Sequence, residues 1–318
     1  MHGWLIIDKP MGPGSTQVVS AVKRALREGG YPKVKVGHGG TLDPLASGVL
    51  PIALGEATKL GGRMLNADKV YAFTIGFGNE TSTLDAEGEV VARSDLRPTL
   101  ERVHAMLPRF TGIIEQAPPA FSALMIDGKR AYDRARAGER VEMKTRKVTV
   151  HSLSIRHPEL VSGSNSTSSR QSPEWMLKQV QHDGLSEITL VARVSKGTYI
   201  RSLARDIARA LDTVGSVTML RRLKAGPFTL DRAISLDKLA DLATARRLEQ
   251  AVLPLTAGLD DIPALPVTPD QARALRQGRK LIGIAAQPGL SLATEDEVPV
   301  ALVELSEGEL RVVRGFNL

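Results

Sequence analysis

The sequence predicts an α+β protein that ends in a small, mostly β module. Three observations predict this class. Strand-like and helix-like patterns follow one another along the chain, a strand with a two-residue period precedes a turn and a second apolar run, and short strand-like runs dominate the end. A chain of 318 residues can build one large domain and a smaller one, which we place at residues 1–250 and 251–318.

Apolar spacing predicts a short strand and then a helix at the start of the chain. The run WLIID is strand-like, and the prolines and glycines that follow it end the strand. Ser15 is a suitable N-cap for a helix through about Leu26, because Val18, Val22 and Leu26 fall on one face.

The middle of the chain predicts a hairpin. Aromatic and apolar residues alternate with smaller ones over Val70–Gly78, so this segment is expected to be a strand. The run EVVARS is expected to be its hairpin partner across the turn DAEG. Further elements are expected as a short helix at 100–107, a strand around 148–150 and a strand along 188–194.

Residues 157–184 interrupt this pattern. They hold six serines between Ser162 and Ser172 and show no clear periodicity. A structureless loop of this length is unusual inside a compact domain, so we expect a flexible, disordered insertion between two strands. Composition favours an inert insertion over its alternative, a functional lid.

The C-terminal module begins after a segment rich in proline and turn residues. One helical piece, QARALRQGRK, is followed by the strand-like runs VPVALVEL and ELRVVRGF, which the turn SEGE joins. Such a module is too small to hold much enzymatic machinery.

Composition restricts the chemistry and the partners. The net charge of +7 and the pI of about 9.7 favour a polyanionic partner. The absence of cysteine excludes disulfides, thiolate zinc sites and cysteine nucleophiles. The histidines are not spaced as metal-ligand pairs, and the dinucleotide and phosphate-loop motifs are missing, so we expect no cofactor and no metal.

No targeting or membrane segment is expected. Asp8 and Lys9 fall where a signal peptide would need an apolar core, and no uncharged run approaches the roughly 20 apolar residues of a membrane span. The sequence therefore predicts a soluble, cytoplasmic protein without membrane contact.

Asp43 lies in the segment GHGGTLDPLASG, among glycines and small residues. Two interpretations are open. Asp43 is either a turn or capping residue, as aspartate before proline often is, or a reactive carboxylate on a glycine-shaped loop. Local pattern alone favours the turn.

A row of arginines begins in the segment KGTYIRSLARDIARAL. Arg201, Arg205 and Arg209 are four residues apart and share one helix face. The row is either a solvated basic face or a set of cations that meets phosphates or a buried carboxylate. Arg201 opens the helix directly after a Gly-Thr-Tyr turn, from which it could reach inward.

These segments resemble those of the tRNA pseudouridine-55 synthase family of the bacterial TruB type, over nearly the whole chain. GHGGTLDPLASGVLPIALGEATK is similar to the catalytic loop of the family, WLIIDKPMGPGS to its N-terminal motif, and KVYAFTIGFGNETSTLDAEG to the strand with its tyrosine. APPAFSALMIDGKRAYDRARAGE and SKGTYIRSLARDI resemble two further blocks. The resemblance implies a mixed, largely antiparallel sheet flanked by helices, followed by a PUA-like RNA-binding domain.

The resemblance also implies roles for individual residues. Asp43 would be the catalytic aspartate, Tyr71 would stack on the target base, and Arg201 would pair with the aspartate. The implied RNA-binding residues are His38, Lys59, Lys9 and Arg205. Since uridine and pseudouridine are isomers, the reaction formally needs no cofactor or metal.

The implied partner is tRNA, bound at its T-arm and elbow by a monomer that has no obligate protein partner. Two alternatives are open. The chain could act on another RNA, as the archaeal and eukaryotic relatives do with guide RNAs, or it could be a non-catalytic module that folds tRNA.

The chain also departs from the family pattern. Gly39 replaces a residue that usually has a hydroxyl group, and Phe121 and Met125 replace a tyrosine and a lysine. The missing lysine removes one expected RNA contact.

Overall fold

The computed structural model describes residues 1–122, 124–126, 128–139, 143–156 and 184–318. The strands, in chain order, are β1 Gly3–Lys9, β2 Val36–His38, β3 Ala46–Leu54, β4 Lys69–Phe77, β5 Asn79–Thr81, β6 Val90–Arg93, β7 Gly112–Gln116, β8 Met125–Ile126, β9 Lys129–Arg130, β10 Arg146–Ile155, β11 Glu187–Val194, β12 Gly215–Ala225, β13 Phe228–Thr229, β14 Val252–Leu253, β15 Ala264–Pro266, β16 Leu281–Ile282, β17 Gly289–Glu295, β18 Val298–Ser306 and β19 Glu309–Gly315. The helices are α1 Ser15–Glu28, α2 Gly61–Asn66, α3 Leu100–Met106, α4 Ala131–Arg136, α5 Ile200–Ala210, α6 Leu236–Thr244 and α7 Pro269–Arg276.

Strands and helices are both abundant, so the predicted α+β class is confirmed. The insertion predicted at 157–184 lies, except for its last residue, outside the described residues, and its flexibility stays a prediction. No helix in the described part of the chain is long and apolar enough to cross a membrane.

The chain divides into two compact units. The first unit comprises Met1–Pro44, Gly48–Leu65 and Ala225–Leu318, and the second comprises Leu45–Ser47 and Asn66–Lys224. The domain boundary at residue 250 stays a prediction, because this division groups the start of the chain with its end.

In the first unit, strand β1 lies between β14 and β3 and is antiparallel to both. Trp4, Leu5, Ile6 and Ile7 of β1 are completely buried. Trp4 and Ile6 share a core with residues of the C-terminal module, including Leu302 of β18 and Phe316 directly after β19. Burial of side chains from both faces of β1 explains why WLIID reads as a continuous apolar run rather than an alternating one.

The C-terminal module of the first unit is a five-stranded sheet in the order β15-β17-β18-β19-β16. Strands β18 and β19 form the predicted antiparallel hairpin, with Ser306 opposite Glu309 at the turn. Helix α7 packs its buried Ala272 and Leu275 against this sheet. The strands and the helix that the sequence predicts here are therefore confirmed.

Helix α1 is confirmed, but its predicted N-cap is wrong. Gly14 is the N-cap residue, and its N–H donates to Oε1 of Gln17 at 2.6 Å. Ser15 is the first helical residue, and its hydroxyl contacts the backbone of Leu42 instead. The capping prediction failed because a distant segment uses this hydroxyl group.

The second unit contains a sheet in the order β12-β4-β11-β10-β7. Strands β4, β11, β10 and β7 pair antiparallel in that order. The alternation in β4 is confirmed, because Phe73, Ile75 and Phe77 are buried in one core. Helix α5 contributes its apolar stripe, including Leu203 and Ile207, to the same core, and this packing fixes the start of α5 relative to the sheet.

The predicted hairpin partner of β4 is wrong. The EVVARS segment forms β6, which pairs with the short strand β5, Glu80 lying opposite Ala92. Gly78 has a φ of +102°, a conformation that ends the straight course of β4 and that side chains rarely adopt. The chain therefore turns before it reaches the DAEG segment, and a separate small hairpin results.

Candidate active site

The loop that carries Asp43 lies between β2 and β3 in the first unit, and its backbone is held on both sides of the carboxylate. On one side, the Ser15 hydroxyl accepts from the Leu42 N–H at 2.8 Å and donates to the Leu42 carbonyl at 3.1 Å. On the other side, the Pro44 carbonyl accepts from the Gly12 N–H at 2.9 Å. The residues flanking Asp43 are thus anchored, while Asp43 itself remains partly exposed.

Lys9 adds to this anchoring. Its side chain is completely buried, and its ammonium group donates to the carbonyls of Pro10 at 2.9 Å and Pro44 at 3.2 Å. A buried ammonium group needs such partners to offset its lost hydration. Lys9 therefore stabilises the Asp43 loop, and the RNA contact predicted for it stays a prediction.

Lys59 and His38 lie in the same unit. The Lys59 ammonium donates to Glu56 at 2.6 Å and to the Gly315 carbonyl at 2.9 Å. Burial alone would raise the pKa of Glu56, but the hydrogen bonds from Lys59 and the Asn317 N–H hold it below the ordinary value. His38 is the last residue of β2, opposite Ile52 of β3, and is half-buried. The RNA contacts of both residues stay predictions.

Gly39, the departure from the family pattern, has a local structural explanation. A Cβ atom on Gly39 would lie 2.9 Å from the Cβ of Met64 and 3.5 Å from the Cβ of Pro51. The first distance is shorter than real side chains tolerate, and the Cβ of Met64 cannot move without its backbone. The close approach of Met64 therefore leaves no room for a side chain at position 39.

We expect Gly39→Ser to destabilise the protein by about 1–3 kcal/mol, because the added atoms overpack this contact. Urea unfolding of the variant measures the change. The cost of Gly39→Ser should persist in part in a Met64→Ala background, since the Met64 Cβ position is still occupied, and should be smallest in a Met64→Gly background, each double variant being compared with its own Met64 variant. A Gly39→Ser variant as stable as wild type would show that the loop moves freely.

Tyr71 lies on β4 in the second unit, opposite Ala192 of β11. It is half-buried and packs against the core that contains Phe73. The core thus supports one part of the tyrosine while another part stays accessible. This placement suits either a core aromatic or a stacking surface, and the stacking role stays a prediction.

Lys69, at the start of β4, is a residue that the sequence reasoning missed. Its side chain is only 8% exposed, and its ammonium donates to the Ala67 carbonyl at 2.6 Å. Burial lowers the pKa of Lys69 to about 8, assisted by the charges of Arg222 and Lys196 and opposed by Asp68. The strand period places Lys69 on the same face as Tyr71, which was the available signal.

The shifted pKa of Lys69 predicts a dependence of stability on pH. Above pH 8 the folded protein has lost this proton, whereas the unfolded chain keeps it up to about pH 10.5. The unfolded state then binds more protons, so the free energy of unfolding rises with pH over this range, by on the order of 3 kcal/mol.

Lys69→Met should remove this rise, and Lys147→Met, at an exposed position of β10, should retain it. Urea unfolding at several pH values between 7.5 and 10.5 measures the difference between each variant and wild type. Parallel profiles for wild type and Lys69→Met would contradict the prediction.

Arg201 begins the row of arginines, one residue into α5, and is 7% exposed. Its Nη1 donates to the Thr83 carbonyl at 2.9 Å and to Oδ2 of Asp85 at 3.1 Å, and its Nη2 donates to the Phe121 carbonyl at 3.0 Å. The guanidinium group is thus oriented by three acceptors from two loops. Within its unit it meets a buried carboxylate, as one of the two interpretations anticipated.

Asp85 is the second residue that the sequence reasoning missed. Besides Arg201, its carboxylate accepts from the Thr83 hydroxyl at 2.5 Å and from the Glu87 N–H at 3.1 Å. Leu84, between them, has a φ of +63°, which is unfavourable for a leucine and persists only where its surroundings enforce it. The turn is therefore held in one conformation with its carboxylate facing Arg201.

The start of α5 is also fixed through Tyr199, the residue before the helix. The buried Gln116 donates through Nε2 to the Tyr199 carbonyl at 3.1 Å and accepts through Oε1 from the Tyr199 N–H at 2.8 Å. The Arg146 guanidinium lies 5.0 Å from the centre of the Tyr199 ring. Because Tyr199 is the N-cap residue of α5, these contacts hold the backbone from which Arg201 projects.

The other arginines of the row have carboxylate partners too. Arg205 donates to Asp206 at 2.8 Å and to the Ala117 carbonyl at 3.3 Å. Arg209 donates through two nitrogens to Glu80, at 2.7 and 3.1 Å. The row is therefore not simply a solvated face. The RNA contact of Arg205 stays a prediction, as does the pairing of Arg201 with Asp43.

No cluster of three or more metal-ligating side chains occurs in the described part of the chain. The residues above offer carboxylates, guanidinium and ammonium groups, an imidazole and the aromatic rings of Tyr71 and Tyr199. Such groups can act as nucleophiles or bases, and they can stabilise charge that develops during a reaction.

Two family models match the chain. The model described as TruB family pseudouridylate synthase (N terminal domain) matches residues 26–200, and the tRNA pseudouridylate synthase B C-terminal domain matches residues 201–260. The chain belongs to the TruB family of pseudouridine synthases. The PUA-like character of the strands after residue 260 stays a prediction.

Curated TruB relatives match over the full length. Proteins named tRNA pseudouridine synthase B from Novosphingobium aromaticivorans and Zymomonas mobilis are 60% and 59% identical over 318 and 317 residues. Both matches cover 100% of this chain, with 98% and 96% of the relatives. A protein of the same name from Caulobacter vibrioides is 43% identical over 330 residues and is covered to 97%.

Solved structures show the same fold. An H/ACA RNP bound to a substrate RNA containing 2'-deoxyuridine matches with a TM-score of 0.69 and 22% identity, covering 99% of this chain and 85% of that chain. A Cbf5-Nop10-Gar1 complex matches with a TM-score of 0.69 and 24% identity, covering 99% and 84%. At this identity the likeness supports the fold, and the TruB relatives support the enzyme class.

Proposed function

We propose that this TruB-family enzyme isomerises the uridine at position 55, in the T-loop of tRNA, to pseudouridine. The observation that carries the proposal is the Asp43 carboxylate, partly exposed between two anchored backbone segments. Relatives about 60% identical over the whole chain are named tRNA pseudouridine synthase B, which supports tRNA rather than another RNA as the substrate.

The reaction rearranges one glycosidic linkage. The bond between N1 of uracil and C1′ of ribose breaks, the base rotates, and a bond forms between C5 and C1′. C5 loses its hydrogen as a proton and N1 gains one, so there is no net redox change. Asp43 either attacks the sugar covalently or removes a sugar proton on the way to a glycal, and each route requires an ionised carboxylate.

Arg201 is proposed to orient Asp43 and to keep it ionised, because a neighbouring positive charge favours the charged form of a carboxylate. The support for this role is the fixed position of the guanidinium group. Its hydrogen bonds to Thr83, Asp85 and Phe121 hold it in one orientation. Asp85 would then be a positioning residue that acts through Arg201.

Tyr71 is proposed to stack on the flipped uracil. Extracting a base from a folded T-loop costs a few kcal/mol, and stacking on an aromatic ring returns roughly 1–3 kcal/mol. Contacts with phosphates would supply the rest, and His38, Lys59, Lys9 and Arg205 are the proposed contributors. One chain holds every proposed residue, so a monomer without an obligate protein partner suffices for the proposed site, and a cytoplasmic location is proposed with it.

The release of tritium from tRNA labelled at uridine C5 tests the proposal. That hydrogen must leave when C5 bonds to the sugar, so release reports each turnover. Wild-type enzyme should release tritium from an unmodified tRNA transcript, and a transcript with cytidine at position 55 should give no release from the T-loop. Tight tRNA binding without release would contradict the enzymatic proposal and favour an RNA-folding module.

A further inference from the structure

A basic cleft in the first unit lies outside the residues discussed so far. It has a volume of about 360 Å³ and is formed by the segment after β13, by α6 and by the segment that leads into β14. Three cations line it, Arg232, Lys238 and Arg247, which we call the cleft cations. All three are exposed, so their charged ends are accessible to a ligand.

The charge of this cleft is not balanced by its own walls. Asp231 is the one carboxylate among the lining residues, and it accepts a hydrogen bond from the Thr229 hydroxyl at 3.1 Å. Elsewhere in the described chain, exposed arginines such as Arg273 and Arg311 have carboxylate partners within 3.0 Å. In the described residues no ion pair of this kind involves a cleft cation. With three cations and one carboxylate, the lining has a net positive charge, which favours an anionic ligand.

The wall of the cleft is attached to the strand that supports the Asp43 loop. The Ile234 carbonyl accepts from the Asp8 N–H at 2.9 Å, and the Ile234 N–H donates to the Ile6 carbonyl at 2.9 Å. One residue after Asp8 on the same strand, the Lys9 ammonium contacts Pro44, which follows Asp43. Adjacent residues of a strand are only about 3.3 Å apart, so the wall of the cleft and the anchor of the Asp43 loop are attached at neighbouring positions of β1.

We propose that the cleft cations bind a phosphate group of the tRNA backbone. The inference rests on the proposed function, because it assumes that tRNA is bound at the Asp43 loop. Two guanidinium groups can each form paired hydrogen bonds with phosphate oxygens, and the lysine adds a compact charge. A small, free phosphate compound is the alternative ligand, because it carries the same phosphate group.

The test is a triple variant, Arg232→Gln, Lys238→Gln and Arg247→Gln, in the full-length enzyme. Its dissociation constant for unmodified tRNA should rise about tenfold, and KM should rise with it, while kcat at saturating tRNA stays within about twofold. The plot of log affinity against log salt should become shallower by about 1, because one phosphate fewer is neutralised and fewer counterions are released.

A matched control removes the same charge elsewhere in the first unit. Lys23, Arg24 and Arg27 are exposed on α1, and their triple glutamine variant should lose much less tRNA affinity than the cleft variant. Equal losses in the two variants would overturn the proposal, since net charge alone would then explain them. Circular dichroism and thermal unfolding of both variants show whether the folds are intact.

Titration with inorganic phosphate and with a nucleoside monophosphate distinguishes the two ligands. Micromolar binding of either compound that is lost in the cleft variant, with unchanged tRNA affinity, would overturn the RNA assignment. Loss of tRNA affinity with only weak binding of these compounds supports it. Absence of tritium release by the wild type would overturn the proposed function, whereas the comparison of tRNA affinities tests the cleft separately.

Discussion

Asp43→Asn should abolish tritium release while leaving tRNA binding close to that of the wild type. Asparagine keeps the shape of the side chain but can neither attack the sugar nor accept its proton, so either chemical route stops. We expect the turnover rate to fall by at least about 10³-fold, which is typical for the loss of a group that reacts directly. The backbone contacts through Ser15 and Lys9 do not involve this side chain, so the loop should keep its conformation.

Single-turnover tritium release and filter binding with the same labelled tRNA measure the two quantities. Asp95→Asn makes the same chemical change at an exposed position and should retain wild-type activity. Release by Asp43→Asn at more than about a tenth of the wild-type rate would exclude Asp43 as the reacting group. If the variant lost both tritium release and tRNA binding, the result would instead indicate a collapsed loop.

The sequence predicted correctly those elements whose apolar repeat is fully visible within one continuous segment. Helix α1 and strand β4 each bury one repeated set of apolar side chains, and this set is visible in ten or so consecutive residues. The hairpin partner of β4 was wrong because pairing depends on where the chain turns. The short apolar run in EVVARS fits any neighbouring strand, and the change of direction at Gly78 places β5 rather than β4 beside it.

Residues around the candidate site were missed for a related reason. DAEG is a typical turn sequence, and Asp85 does precede a turn, whose Glu87 N–H donates to its carboxylate, but its partner Arg201 is 116 residues away. Likewise, the Ser15 hydroxyl could satisfy the start of its own helix, but it contacts Leu42, 27 residues further along. Local pattern identifies the conformation of such residues, and only the folded chain shows which distant group uses the side chain.

The burial of the Asp85–Arg201 pair makes Asp85→Asn the second substitution with a large expected effect. The side chains of Asp85 and Arg201 are only 10% and 8% exposed. The substitution removes one charged member of a buried ion pair, and such a change typically costs 3–5 kcal/mol. We expect the free energy of unfolding to fall by about 3 kcal/mol, because the asparagine carbonyl still accepts one hydrogen bond.

A surface pair supplies the matched control. Asp212 contacts Arg102 at 2.8 Å, with side chains 73% and 47% exposed, and Asp212→Asn should change the stability by less than about 1 kcal/mol. Asp212 has a φ of +61°, a conformation that asparagine also tolerates, so the backbone should not be strained. Urea unfolding of both variants measures the contrast, and similar small losses would contradict a strongly coupled buried pair.

The activity of Asp85→Asn separates a positioning role from a purely structural one. If Asp85 acts through Arg201, turnover of the folded variant at saturating tRNA should fall by about tenfold to a hundredfold, with little change in KM. A structural role alone would lower the fraction of folded enzyme without changing turnover per folded molecule. Asp85→Asn combined with Arg201→Gln should be less damaging to stability than the sum of the two single changes, because the two side chains are each other's buried partners.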